Sequence, residues 1–312
     1  MELPAMAVLL VAAVAAQNGP GLLRGFHCNK NSQPWTAALF DGWKFHCTGT
    51  LINSQWLVTA AQCFTNRHAK ALKRVQSRAG DGEWPRKMGV SGERVWSRET
   101  PKGQRERDLE GHTCSNAFGY LFVLYTCFLY HSFFYVALGE NSLLSFEGTE
   151  QLKIGIKAIR HPFYNSFNKD NDIMLVKLLT PIRLTDSVQP LALPSSCVDP
   201  GSYCVVAGWG TPILQKEYPP DILYCGNITT LTDQECLAVY PAVRLGHMLC
   251  ATVKMGGSDS CQGDPGSPLV CRNTLQGITS WGFEKCSEVE SPSVFVKVCN
   301  YINWLRETMA LA

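Results

Sequence analysis

Fourteen cysteines, scattered among short apolar runs, constrain this chain more than any other feature. None of them forms the tight CxxC pairs of a zinc site, and no other metal-ligand cluster stands out. Residues 1–16 run almost entirely through Ala, Val and Leu and end in Val14-Ala15-Ala16. That stretch is too short to span a membrane comfortably, and its small terminal residues predict a cleaved secretory signal with the cut near Ala16. Only Glu2 is charged ahead of it, so the α-amino group supplies the positive end. A buried N-terminal helix is the alternative. Export places thiols in an oxidising compartment, where they pair, so the cysteines are read as structural disulfides in a secreted, extracellular protein. Spacing alone leaves their partners open. Asn227-Ile228-Thr229 is an N-glycosylation acceptor, in keeping with export.

At 312 residues the chain holds one large domain with extras or two ordinary ones. A formal net charge of +2 offers no electrostatic footprint for nucleic acid. From 25 to 64, and again from 136 to the end, short apolar runs alternate with Gly, Pro, Asn and Ser turns. Residues 35–40, 49–52, 56–60, 173–178, 203–207, 275–280 and 293–298 have the length and β-branched or aromatic content of strands. The clearest helical period is the last: Ile302, Leu305 and Met309, with Trp304 beside them, make one apolar face over 301–310. The pattern predicts an all-β architecture with a C-terminal α-helix.

The middle, about 68–135, differs in kind. Up to about residue 110 it is rich in Arg, Lys, Glu and Gly without a core period, and reads as disordered. Residues 118–138 are uncharged and crowded with Phe, Tyr and Leu, long enough to qualify as a spanning helix. A structureless loop of this length is foreign to a compact domain.

Four motifs carry a resemblance. Trp56-Leu57-Val58-Thr59-Ala60-Ala61-Gln62-Cys63 resembles the segment that bears the general base in trypsin-like serine proteases, which normally ends Ala-Ala-His-Cys. Asn171-Asp172-Ile173-Met174-Leu175 resembles the segment of the triad aspartate. Asp259-Ser260-Cys261-Gln262-Gly263-Asp264-Pro265-Gly266-Ser267-Pro268 resembles the nucleophile loop, normally Gly-Asp-Ser-Gly-Gly-Pro, and Ser280-Trp281-Gly282 the strand that pairs with substrate backbone. They stand in the family's order over residues 22–64 and 136–312. Asn31-Ser32-Gln33-Pro34-Trp35 points to the tissue kallikrein branch.

The resemblance implies two six-stranded antiparallel β-barrels of the chymotrypsin type with the active site between them. It implies a signal at 1–16, a pro-segment remnant at 17–21, and a protease domain over 22–312 interrupted at about 68–135. It implies the disulfides Cys28–Cys225, Cys47–Cys63, Cys197–Cys299, Cys204–Cys271, Cys236–Cys250 and Cys261–Cys286. Cys114 and Cys127 are left over, both inside the insertion. A spanning helix at 118–138 would put the two ends of Cys28–Cys225 on opposite sides of a membrane. The insertion is therefore read as a loose excursion replacing a short loop, not as a membrane anchor. Its Phe, Leu, Tyr, Ser and Cys codons are pyrimidine-rich, so translated intron is a second account of it.

Acyl transfer of this type needs a hydroxyl nucleophile, an imidazole and oxyanion donors. Gln62 stands at the imidazole position, and an amide does not titrate near neutrality. Pro265 stands at the nucleophile position, with neither a hydroxyl nor the backbone N–H that serves as an oxyanion donor in this family. Asp172, the triad aspartate, then has no ring to orient and is expected as a buried carboxylate near Gln62 and Ser280. Neither Ser267 nor His68 is placed to take over. Activation is lost as well, because Gly21-Leu22-Leu23 replaces the cleavable Arg or Lys before an Ile-Val-like pair. Asp264 remains as the would-be partner of the freed amine, its geometry constrained by the proline that follows.

The remaining cleft residues are those of binding. Asp259 matches the acidic floor of a pocket for Arg or Lys, Ser280, Trp281 and Gly282 the strand-pairing edge, and Ser293 a pocket-wall position where Gly is usual. No cofactor is implied. Three readings stand: an inactive monomeric homologue that binds protease inhibitors or basic peptides, an active kallikrein-type endopeptidase, and a product without stable function.

Overall fold

The computed structural model describes residues 26–42, 44–64, 134–210, 221–252, 264–282 and 292–312. Leu39, Leu51, Leu57, Phe134, Leu138 and Met174 are all fully buried, and one closed sheet brings them inside. Its strands are β2 (Thr36–Asp41), β3 (Lys44–Asn53), β4 (Trp56–Thr59), β5 (Phe134–Leu138), β6 (Gln151–Arg160) and β7 (Met174–Leu178). They pair antiparallel in the cyclic order β2-β3-β4-β7-β6-β5. Closure leaves no strand edge without hydrogen-bond partners.

A second ring is built from β8 (Tyr203–Gly208), β9 (Tyr224–Thr230), β10 (Met248–Thr252), β11 (Pro268–Cys271), β12 (Thr274–Trp281) and β13 (Ser293–Lys297). The order β9-β10-β13-β12-β11-β8 is closed by the β8–β9 pairing, and β1 (Phe26–His27) adds to β9 through Phe26↔Cys225. Val206, Ile228, Leu269 and Phe295 fill it. The fold is thus two closed six-stranded antiparallel barrels followed by a C-terminal helix.

Two α-helices accompany the described strands. In α1 (Asp233–Val239) the Thr232 hydroxyl accepts from the Glu235 N–H while the Glu235 carboxylate accepts from the Thr232 N–H, a reciprocal cap at one end. In α2 (Ile302–Leu311) the apolar face read from the sequence turns inward: Leu305 is fully buried in a core cluster drawn from both barrels, with Ile302, Trp304 and Met309 packed against it. The helix begins one residue later than its pattern, because Val298–Tyr301 forms a 3-10 turn.

Five disulfides join the described parts: Cys28–Cys225, Cys47–Cys63, Cys197–Cys299, Cys204–Cys271 and Cys236–Cys250. Cys261, Cys286, Cys114 and Cys127 lie outside the described residues.

Residues 134 and 135, expected at the end of the insertion, belong to the barrel. Residues 134–138 are β5, paired on one side with β2 and on the other with β6. Two ladders satisfy that backbone, and burial of Phe134 in the barrel core supplies the driving force. The barrel resumes at Phe134, two residues before the family pattern does. Among the described residues no helix is long and apolar enough to cross a membrane. The rest of the insertion and the leader lie outside them.

Candidate active site

Gln62 is carried on a single 3-10 turn, Ala61–Cys63, at the end of β4, and Cys63 is tied to Cys47 of β3. Asp172 stands at the start of the run into β7. Asn171, just before it, has φ +54, a left-handed angle that asparagine tolerates better than most residues. The Tyr301 hydroxyl donates to Asn171 Oδ1 at 3.0 Å, and Asn171 Nδ2 donates to the Phe163 carbonyl at 3.2 Å. Both bonds hold the bend that aims Asp172.

The side chains of Gln62, Asp172 and Ser280 meet. The Gln62 backbone N–H donates to Asp172 Oδ1 at 2.8 Å, and Gln62 Nε2 donates to Asp172 Oδ2 at 2.6 Å and to the Ser280 carbonyl at 2.7 Å. Both partners of Nε2 are acceptors, so the orientation of the amide follows from its environment. Ser280 Oγ donates to Asp172 Oδ2 at 2.6 Å. Asp172 is fully buried. Burial raises its pKa above the ordinary aspartate value, while the bonds from Ser280 and Gln62 and the charge of Lys169 pull it down. The first barrel contributes Gln62 and Asp172, the second Ser280.

Asp264 to Ser267 form a tight turn. The Ser267 N–H donates to the Asp264 carbonyl at 3.0 Å, and Gly266 has φ +90. That is the third position of a type II turn, whose second position favours proline. Pro265 therefore suits this turn. Thr48 Oγ1 and the Gly210 N–H both donate to Asp264 Oδ2, at 3.1 and 3.0 Å. Among the described residues Oδ1 has no side-chain donor within hydrogen-bond distance. Burial pushes the Asp264 pKa up to about 6 against these donors. Only glycine fits at 266, because a Cβ there would lie 2.0 Å from the Thr48 carbonyl oxygen and 2.2 Å from Thr59 Oγ1. The turn is pinned to β3 by the Thr48 N–H, which donates to the Pro265 carbonyl at 3.1 Å. Sγ of Cys63, next to Gln62, lies 3.7 Å from the same oxygen.

Ser267 is fully buried, and its hydroxyl crowds Gly208, where a Cβ would meet Ser267 Oγ at 2.6 Å. Trp281 stacks edge-on against Tyr240, whose hydroxyl donates to the Pro292 carbonyl at 2.9 Å. Gly282 has φ +97 with the Pro292 carbonyl 3.0 Å from the position of a Cβ. Ser293 opens β13 and is half-buried. Asp259, Gly263 and His68 lie outside the described residues. Sequence reasoning did not single out Thr48, whose hydroxyl reaches Asp264 across 216 positions. The only signal available was a hydroxyl directly after Cys47, half of an implied disulfide.

A family profile described as Trypsin matches residues 22–107 and 125–305. It runs further into the middle stretch than the four motifs do. Trypsin of Xenopus laevis is 36% identical over 310 residues, covering 99% of each chain. Kallikrein-11 of Homo sapiens is 34% identical over 307 residues, covering 97% of this chain and 86% of the relative. Kallikrein-15 of Homo sapiens is 34% identical over 311 residues, covering 96% and 95%.

Proposed function

Because this chain belongs to the trypsin-like serine protease family, we propose that it is a secreted, kallikrein-like member that has lost peptide-bond cleavage and works, where it works, by binding. The observation that carries the reading is the pair Gln62 and Pro265 at the positions of base and nucleophile. An amide whose Nε2 already donates to Asp172 and to the Ser280 carbonyl has no lone pair there to take a proton. A pyrrolidine ring has no oxygen with which to form an acyl bond.

The cost of either loss is large. In proteases of this chemistry, losing the nucleophile or the base alone costs about 2 × 10⁶ in turnover, roughly 8–9 kcal/mol of barrier. The missing N–H at residue 265 removes an oxyanion donor, worth about 10²–10³. The penalties overlap, and one suffices. Ser267 offers no replacement hydroxyl, being fully buried.

Mechanistically, the residues act as a brace. Asp172 gathers two donors from Gln62 and one from Ser280, tying the two barrels together where the family's imidazole would swing. Binding falls to the edge formed by Ser280, Trp281 and Gly282 and to Asp259, chemistry suited to a basic peptide or to the exposed loop of a trypsin inhibitor. The cysteine-rich barrels and the apolar leader support secretion.

The test is chemical. Full-length protein purified from culture medium is treated with a fluorophosphonate probe and a peptide ester, alongside Gln62→His, Pro265→Ser and the double variant. The wild type is expected to show no labelling and no turnover above buffer. Labelling of the unaltered chain, free of contaminating proteases, would establish the active endopeptidase instead. Binding is read separately: a trypsin inhibitor is expected to bind, and to bind more weakly to Asp259→Ala.

A further inference from the structure

Asn227 sits in the middle of β9, and its side chain is exposed while Gly226 and Ile228 on either side are buried. Its cross-strand partner is Val205, and Thr229 pairs with Tyr203. Tyr203 is therefore the diagonal neighbour of Asn227 on the same face of the sheet, a separation of roughly 7–8 Å between such positions. It is also 75% exposed, an unusual position for a large aromatic ring. An outward asparagine in an Asn-Xaa-Thr acceptor, beside an outward aromatic ring, is the arrangement that seats a sugar: its C–H face lies on the ring while its hydroxyls stay in water.

We propose that Asn227 carries an N-linked glycan whose first sugar packs on Tyr203. The inference rests on the secretory reading above, since the donor is a lipid-pyrophosphate-linked oligosaccharide of the secretory compartment. In the transfer, Asn227 Nδ2 forms a bond to the sugar C1, the C1–O bond to pyrophosphate breaks, the lipid pyrophosphate leaves, and the amide gives up one proton. Thr229 is only 5% exposed in the folded barrel. The acceptor is thus read in the extended chain, before β9 joins β8, and the folded protein then keeps the sugar outside.

The experiment expresses the full chain in mammalian secretory cells twice, with its own N-terminal segment and with a substituted secretion leader. Site occupancy is read by amidase release in heavy-oxygen water, which converts a glycosylated Asn227 to an isotope-labelled aspartate, with Asn227→Gln as the control. The isotope label at position 227 is the expected result. A bare Asn227 in protein delivered by the substituted leader overturns the glycan. Glycosylation with the substituted leader alone upholds the site and refutes only export by the native segment. For the packing, amidase treatment is expected to lower the Tm of the wild type and to lower that of Tyr203→Ala less. An equal loss in both would remove Tyr203 from the proposal.

Discussion

Replacing Gln62 with leucine tests the brace between the barrels directly. The substitution keeps the side chain's approximate volume and the backbone N–H that donates to Asp172 Oδ1, and deletes Nε2. Two bonds go: one of 2.6 Å to a buried carboxylate and one of 2.7 Å to the Ser280 carbonyl. A bond to a charged group is worth about 1.5–3 kcal/mol and a neutral one about 0.5–1.5 kcal/mol. Asp172 keeps the Gln62 N–H and the Ser280 hydroxyl, so the loss stops short of orphaning the charge. The sum is a destabilisation of about 2–4.5 kcal/mol. For a domain of about 150–250 residues, each kcal/mol lowers Tm by about 2–4 °C, so a fall of about 4–18 °C is expected. Denaturant unfolding and calorimetry measure it. Gln62→Glu supplies the electrostatic control: a second carboxylate facing Asp172 destabilises more at about pH 7.5 than leucine does, and recovers on acidification as one of the pair takes a proton. If the leucine variant unfolds within about 0.5 kcal/mol of the wild type and the glutamate variant shows no pH dependence, the brace is absent.

Asp264 gives a pH signature. Its folded pKa of about 6 exceeds the ordinary value of 3.8, so the folded state holds the proton more tightly. The associated stability is complete below pH 3.8 and is lost as pH rises to about 6; at about 1.36 kcal/mol per pH unit, that window is worth roughly 3 kcal/mol. Asp264→Asn is expected to flatten the stability curve across that window, measured by urea unfolding at stepped pH. Gly266→Ala puts a methyl group into the Thr48 carbonyl and Thr59 hydroxyl at a left-handed angle, and is expected to abolish secretion or cost at least about 3 kcal/mol. Pro265→Ser, by contrast, frees the unfolded chain without disturbing the turn, and is expected to cost only about 0.4–1 kcal/mol in chemical denaturation. Removing both cysteines of the Cys28–Cys225 bridge, which spans 197 positions, is expected to cost about 2–5 kcal/mol by the same measurement.

Reading the chain residue by residue reached β2, β3, β4, β7, β8, β12 and β13, the terminal helix and the identities of Gln62 and Pro265, because each is a local fact. Apolar and turn residues announce a strand over five or six positions, and the identity of a side chain is the same wherever the chain goes. Residues 134 and 135 show the limit. Their aromatic neighbours made one uniform apolar stretch, and only pairing with β2 and β6 divided strand from insertion.

What tertiary structure alone decided is who donates to whom. Gln62 reaches Asp172 across 110 positions, Ser280 reaches it across 108, and Thr48 reaches Asp264 across 216. The burial of the Asp264 carboxylate and of the Ser267 hydroxyl belongs to the same class. Desolvation and hydrogen bonding depend on what closure of the two barrels places within about 3 Å, a distance unrelated to separation along the chain. The sequence alone determined that residues 62 and 265 are glutamine and proline; folding decided how the side chains around them are tied.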